Sequence, residues 1–154
     1  MNQPNVLQSK IKDVKFGQDV TVVEPVNLYG CIIGDHCFVG PFVEIQKDVT
    51  VGNRCKIQSH SFICELVSIG NDCFISHGVM FINDKFFMGR PARGDRQLWK
   101  PTHIGNFVSI GTNATILPVT IVDKTVIGAG SVVTKDILIP GIYVGNPARL
   151  LRLV

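Results

Sequence analysis

The stretch CIIGDHCFVGPFVEIQKDVTVGNRCKIQSHSFICELVSIGNDCFISHGVMF (31–81) carries an apolar residue at every sixth position: Ile33, Val39, Ile45, Val51, Ile57, Ile63, Ile69, Ile75 and Phe81. After an interruption the series resumes at Ile104, Ile110 and Ile116, drops one residue, and continues through Ile121, Ile127 and Val133. Upstream, Phe16, Val22 and Leu28 keep the spacing until another one-residue slip. All eighteen positions are apolar in a chain that is 45% hydrophobic. Chance gives that roughly once in a million trials, and the choice of frame and slips weakens it by about two or three orders of magnitude. The pattern survives that discount.

A period of six suits neither a flat sheet, whose side chains alternate in twos, nor an α-helix with its spacing of 3.6. It suits short strands separated by tight turns, three strands to a coil, with the aliphatic residue pointing inward on each side of a triangular prism. Gly follows the aliphatic residue at 17, 34, 40, 52, 70, 105, 111 and 128, where a sharply turning chain gains from a missing Cβ. Four residues after the aliphatic stands a small or β-branched side chain, among them Val43, Val49, Ser61, Val67, Ala114, Thr125 and Ser131. Eighteen positions predict about six coils over residues 14–81 and 104–138, roughly 29 Å of stacked strands. Cys37, Cys55 and Cys73 are 18 residues apart, one coil each. They are expected as an internal ladder of free thiols acting as small hydrophobes.

Two segments leave the repeat. Residues 82–103 (INDKFFMGRPARGDRQLWKPTH) form an insertion bearing Lys85, Arg90, Arg93, Arg96 and Lys100 against Asp84 and Asp95. Loops of this length are uncommon in compact domains unless they serve a function. The alternatives are a solvated excursion and a flap that packs on a neighbouring subunit and presents cations to phosphates. The tail is expected to leave the repeat at Ile137, with residues 139–154 capping the open end, as stacked repeats require.

The whole of 1–154 reads as one domain. A net charge of +3 gives no case for nucleic acid. No apolar run is long enough to cross a membrane. The N-terminal residues lack a signal-peptide core, so the expected compartment is the cytoplasm, where thiols stay reduced.

The repeats, the segment IGAGSVVTKD (127–136) and the ending GNPAR (145–149) together resemble the hexapeptide-repeat acyltransferases. Within that superfamily, HGVMFIND (77–84) is similar to the enzymes that acetylate the 3-amino group of dTDP- or UDP-linked aminodeoxysugars for surface polysaccharide. The resemblance implies an all-β, left-handed parallel β-helix, a homotrimer, and acetyl-CoA as co-substrate in the cleft between adjacent prisms, with no metal. It also implies roles for particular residues. Ala129 corresponds to the residue whose backbone meets the pantetheine arm. The thioester oxygen needs a donor as negative charge develops, and a backbone amide near Gly111 or Ala129 is expected to supply it. Lys135 and Arg149 correspond to the basic residues near the adenosine phosphates, and Thr112 to a polar contact with coenzyme A. Asn83 and Asp84 correspond to the pair beside the sugar amine. The same two residues also suit a plain turn at the end of a strand.

Chemistry favours an amine acceptor. A sugar hydroxyl is protonated at neutral pH and needs a strong positioned base. An amine with a pKa of about 8 is already about a tenth neutral. The sugar O-acetyltransferases of the superfamily carry a catalytic His in the insertion, whereas this insertion has none before its closing residue, His103. Of the four histidines, His77 ranks first for the active cleft, its alternative being a plain surface residue. His36 and His60 occupy exposed turns. The rival readings are sugar O-acetylation or another small-molecule acylation, a γ-carbonic-anhydrase-like zinc protein, and a non-catalytic scaffold. The zinc protein needs two His five residues apart. The positions 36, 60, 77 and 103 supply no such pair.

Overall fold

Each apolar rung of the repeat lands on one of three parallel sheets, and the chain rises as a three-sided column; the computed structural model describes residues 3–154. Face A holds the seven strands Ile11–Lys12, Asn27–Tyr29, Glu44–Ile45, Phe62–Ile63, Met80–Phe81, Thr115–Ile116 and Val132–Val133. Face B holds six: Lys15–Phe16, Ile32–Ile33, Thr50–Val51, Val67–Ile69, Thr102–Ile104 and Thr120–Ile121. Face C starts with Thr21–Val22, Phe38–Val39, Lys56–Ile57, Phe74–Ile75, Ser109–Ile110 and Val126–Ile127, and ends with Gly141–Val144 and Arg149–Leu153. Partners within a face are one coil apart: Ile33 with Val51, Ile45 with Ile63, Ile57 with Ile75. The architecture is the expected left-handed parallel β-helix. Among the described residues the single helical turn is the 3-10 segment Arg96–Leu98.

The rungs make the core. From Leu28 to Val133 every inward aliphatic residue is at most 4% exposed. Phe16, in the first coil with no neighbour beneath it, is 41% exposed. The three spaced cysteines stack as expected, each Sγ donating to a glycine carbonyl of the next coil: Cys37 to Gly52, Cys55 to Gly70 and Cys73 to Gly105, all at 3.1 Å. All five cysteines are free and buried, and burial pushes the thiols of Cys31 and Cys64 up to about 11 and about 12.

Three expectations need correction. The column has about seven coils rather than six, because Ile11–Lys12 already pairs with Leu28–Tyr29. Nor does the tail leave the repeat at Ile137. That residue bridges to Ile121, and Ile142 and Tyr143 continue face C beside Val126 and Ile127 before the chain reverses into the antiparallel strand Arg149–Leu153. Finally, the glycines after the aliphatic residues are not there for the turn. The left-handed residue of each turn stands two positions later and is rarely glycine: Asp19, His36, Phe42, Arg54, Asp72, Phe107 and Asn113 all have φ between 52 and 60°. Glycine is needed instead where coils touch. A Cβ on Gly52 would sit 2.7 Å from the carbonyl carbon of Gly70, and one on Gly70 the same distance from that of Gly105.

The corner between faces B and C carries a side-chain ladder that follows from the repeat. The backbone amides of Gln18, Asp35, Asn53, Asn71 and Asn106 donate in turn to Asp35, Asn53, Asn71, Asn106 and Asp123, at 2.8–2.9 Å. The last rung is a carboxylate. Hydrogen bonds from the Asn106 amide and side chain hold the Asp123 carboxyl below its usual 3.8. A depressed carboxylate contributes stability that is present above its unfolded pKa and is lost as pH falls through the folded one. Asp123→Asn keeps the acceptor and removes the titration. The denaturation midpoint of the wild type should therefore fall more steeply than that of Asp123→Asn below about pH 4. Equal slopes would show that this rung does not contribute.

Candidate functional site

Three coils of the upper column present matching residues at the corner between faces C and A. His77, Thr112 and Ala129 each stand two positions after an inward isoleucine, Ile75, Ile110 and Ile127, and form one column. Backbone bonds lock the stack: Asn113 N–H donates to the His77 carbonyl at 2.9 Å and Gly130 N–H to that of Thr112 at 2.8 Å. His77 is exposed, and its Nδ1 lies 2.9 Å from Ser59 Oγ in the coil below. Thr112 Oγ1 lies 2.8 Å from Ser76 Oγ.

Two amides beside this column differ in what they leave free. The Gly111 N–H donates to the Ile127 carbonyl at 2.8 Å, so it is spent inside the sheet. Ala129 is exposed, and among the described residues its N–H has no acceptor. Gly111 has a different part in the geometry: a Cβ there would meet Ala129 N at 2.5 Å, so it lets the two coils close up.

At the C-terminal end of the column, Lys135 and Arg149 flank one groove of about 260 Å³ that is floored by Val133, Ile137 and Tyr143. Both cations are exposed. The antiparallel return strand brings Arg149 there, fastened by Ala148 N–H donating to the Val132 carbonyl at 2.8 Å.

Asn83 and Asp84 sit elsewhere. They leave face A at its other edge, the corner between faces A and B, so a full sheet face separates them from His77 within one chain. Asn83 Nδ2 donates to the Glu65 carbonyl at 3.2 Å, and Lys100 N–H donates to the Asn83 carbonyl at 3.0 Å. Asp84 accepts from the Phe86 and Ala92 amides, at 2.8 and 2.7 Å. Those bonds make Asp84 the organiser of the loop base, which is the turn role its residue type favours.

The insertion is shorter than the sequence indicates. Thr102–Ile104 is a strand of face B, so the interruption ends at Pro101, and His103 points outward from that face with Nδ1 2.8 Å from Ser68 Oγ. Of the five loop cations, Arg96 turns back onto the column instead of facing outward: its Nη2 lies 2.6 Å from Asp48 Oδ2 and 3.2 Å from Glu65 Oε2. Glu65 was not legible as a site residue. Its position two after Ile63 is the one Lys47 and Asn83 hold in neighbouring coils of the same corner, and that periodic match is the signal that could have found it. The remaining histidines are apart from one another. His36 lies 3.4 Å from Asp19 at one corner, and His60 stacks on Phe42 at another, with ring centres 4.8 Å apart. Among the described residues, no three His, Cys, Asp or Glu are placed to hold a metal ion, and no helix is long and apolar enough to cross a membrane.

Residues 30–65 match the bacterial transferase hexapeptide family, a model of six repeats, and residues 101–135 match the hexapeptide repeat of succinyl-transferase. Both matched segments carry the hexapeptide repeat of these transferases. The bifunctional protein GlmU of Clostridium perfringens is 32% identical over 142 residues, covering 88% of this chain and 28% of its own length. This hexapeptide-repeat chain thus spans little more than a quarter of that curated relative. Among solved structures, AntD, an N-acyltransferase from Bacillus cereus in complex with dTDP and 3-hydroxybutyryl-CoA, superposes with a TM-score of 0.76 at 24% identity, over 89% of this chain and 81% of that one. A hexapeptide-repeat acetyltransferase from Vibrio cholerae complexed with acetyl coenzyme A gives a TM-score of 0.65 at 28% identity, over 80% and 70%.

Proposed function

We propose that this hexapeptide-repeat chain moves an acetyl group from acetyl-CoA to the 3-amino group of a dTDP- or UDP-linked aminodeoxysugar, in the cytoplasm and as a homotrimer, for surface polysaccharide. The observation that carries the reading is the exposed, unspent Ala129 N–H stacked one coil above Thr112 on the corner between faces C and A, with the Lys135–Arg149 groove at the C-terminal end of the same column. A long thin ligand with a polar arm and a phosphate-bearing end suits a free amide and a cationic groove set apart in this way. The Ala129 amide takes the pantetheine arm, Thr112 adds a polar contact, and the two cations take the phosphates. AntD and the Vibrio enzyme were solved with acyl-CoA ligands, which supports the donor.

His77 and Asn83 lie on different corners of one chain. In a cleft between adjacent prisms, one chain supplies the His77–Thr112–Ala129 column and its neighbour supplies Asn83 and Asp84. The amine lone pair attacks the thioester carbon, the C–N bond forms, and the C–S bond breaks with coenzyme A leaving as thiolate. The amine proton passes to an acceptor at the cleft, drawn from His77, Asp84, Asn83 and water, and ends on the thiol. An amine asks little of that base, which agrees with a loop free of histidine and with His103 turned away on face B.

The test is turnover of acetyl-CoA with dTDP- and UDP-linked 3-aminosugars, galactosides and chloramphenicol. Activity on the amines supports the assignment, and activity confined to hydroxyl acceptors rejects it. A companion measurement addresses the donor site. Losing a hydrogen bond to a charged group costs about 1.5–3 kcal/mol, so Lys135→Ala and Arg149→Ala should each weaken coenzyme A binding by roughly ten- to a hundredfold. Calorimetric affinities equal to wild type would remove both residues from the site.

A further inference from the structure

The loop after Phe81 is attached to the column in an unusual way. Of residues 85–101, Ala92 alone is buried, while Phe86, Phe87 and Met88 at the tip are 56–87% exposed. Leu98 and Trp99 are half-buried but do not pack against the core of the column, so apolar packing contributes little to holding this segment down. Charge does the holding. Arg96 heads the 3-10 turn Arg96–Leu98, whose start is fixed by Gln97 N–H donating to Asp95 Oδ1 at 3.1 Å. From there its guanidinium reaches Asp48 Oδ2 at 2.6 Å and approaches Glu65 Oε2 at 3.2 Å. Asp48 and Glu65 belong to successive coils at the corner from which the loop departs.

Glu65 is the telling member. Its side chain is 11% exposed and its buried Oε2 has no well-aligned hydrogen bond, so it relies on Arg96 and on Lys47 Nζ, 3.8 Å from Oε1, for compensation. A carboxylate so covered is costly to leave without a cation. The same residue also grips Asn83, whose side chain donates to the Glu65 carbonyl. One residue thus fixes the loop's stem through its backbone and the loop's far half through its carboxylate.

We propose that the Asp48–Arg96–Glu65 cluster is an electrostatic latch, with Arg96 the positioning residue that holds the loop closed so that Asn83 and Asp84 face the acyl acceptor. The second half of this statement rests on the acceptor-site reading given above. The first half does not.

Arg96→Met removes the latch from an exposed loop while Lys47 stays beside the Glu65 carboxylate, and Glu65→Gln is a near-isosteric second variant. Arg96→Lys keeps the charge on a shorter side chain, whereas in the wild type the single nitrogen Nη2 at the end of the longer arginine meets both carboxylates. Amide hydrogen exchange reads the loop directly. In Arg96→Met and Glu65→Gln the amides of Phe86, Ala92 and Lys100 should exchange at least tenfold faster, with column amides such as those of Gln58 and Ser76 unchanged and Arg96→Lys in between. Loop amides at the wild-type rate would overturn the latch, as would column amides that speed up together with the loop. In steady-state kinetics the opened variants should lose at least tenfold in kcat/KM for the amine acceptor while coenzyme A affinity stays within twofold. An opened loop with wild-type turnover would overturn the positioning role. A wild type inert towards every amine, with exchange behaving as described, would reject the acceptor reading and leave the latch standing.

Discussion

Asn83→Ala should depress turnover by about a hundredfold, the lower range for removing a group that positions or relays a proton in the transition state, while leaving coenzyme A affinity and thermal stability near wild type. The expectation follows from placement. Asn83 is the first residue past the Phe81 rung to leave the column's pattern on that face, it is half-buried, and its one bond from the side chain goes to the Glu65 carbonyl on the same corner. A neutral surface-loop bond of that kind contributes on the order of 1 kcal/mol, so its loss should not unfold the chain. Single-turnover kinetics with saturating acetyl-CoA separates the outcomes. A wild-type chemical step in Asn83→Ala would remove this residue from the mechanism. Asp84 is a less clean probe, because two loop amides depend on its carboxylate and any change there also disturbs the loop base.

Phe81→Ala should be the most destabilising single truncation in the column, at about 3–5 kcal/mol. Every other inward residue between Leu28 and Val133 on face A is aliphatic, and Phe81 is the largest fully buried side chain. It lies beside Ile116 in the sheet, directly below the point where the loop departs. In a solenoid each coil touches only its neighbours, so the vacated space cannot be filled by a shift of distant elements. Phe81→Leu keeps most of the volume and should cost far less. Denaturant titration measures both, and a loss under about 1 kcal/mol in Phe81→Ala would mean that the coils close over the gap.

The architecture was readable because its physics is local and periodic. A residue such as Ile57 has to point inward, and the next coil repeats that demand 18 residues later at Ile75. The ladder of Asp35, Asn53, Asn71, Asn106 and Asp123 and the stack of Cys37, Cys55 and Cys73 follow from the same arithmetic. Glycine was read at the right places for the wrong reason: the repeat shows where a Cβ is missing, but not that the neighbouring coil, rather than the turn, excludes it. At the ends the pattern failed, since Tyr143 occupies a rung of face C whose other rungs are all aliphatic, and Ile11 precedes the recognisable spacing. The site was legible in part. His77, Thr112 and Ala129 share a corner column that an insertion and a one-residue slip conceal in the sequence. Glu65 and Arg96 meet only because an aperiodic loop folds back, and no spacing rule reaches that contact.

A crystal soaked with coenzyme A tests the central claim most directly, because the ligand's path reports which corner of the column forms the groove. The pantetheine arm should run along Thr112 and Ala129 with its amide side taking the Ala129 N–H, the phosphates should lie between Lys135 and Arg149, and the thiol should point at Asn83 of a neighbouring copy. Coenzyme A ordered on another face, such as the outward side of face B around His103, would contradict the account, as would a lone column with no second copy completing the cleft.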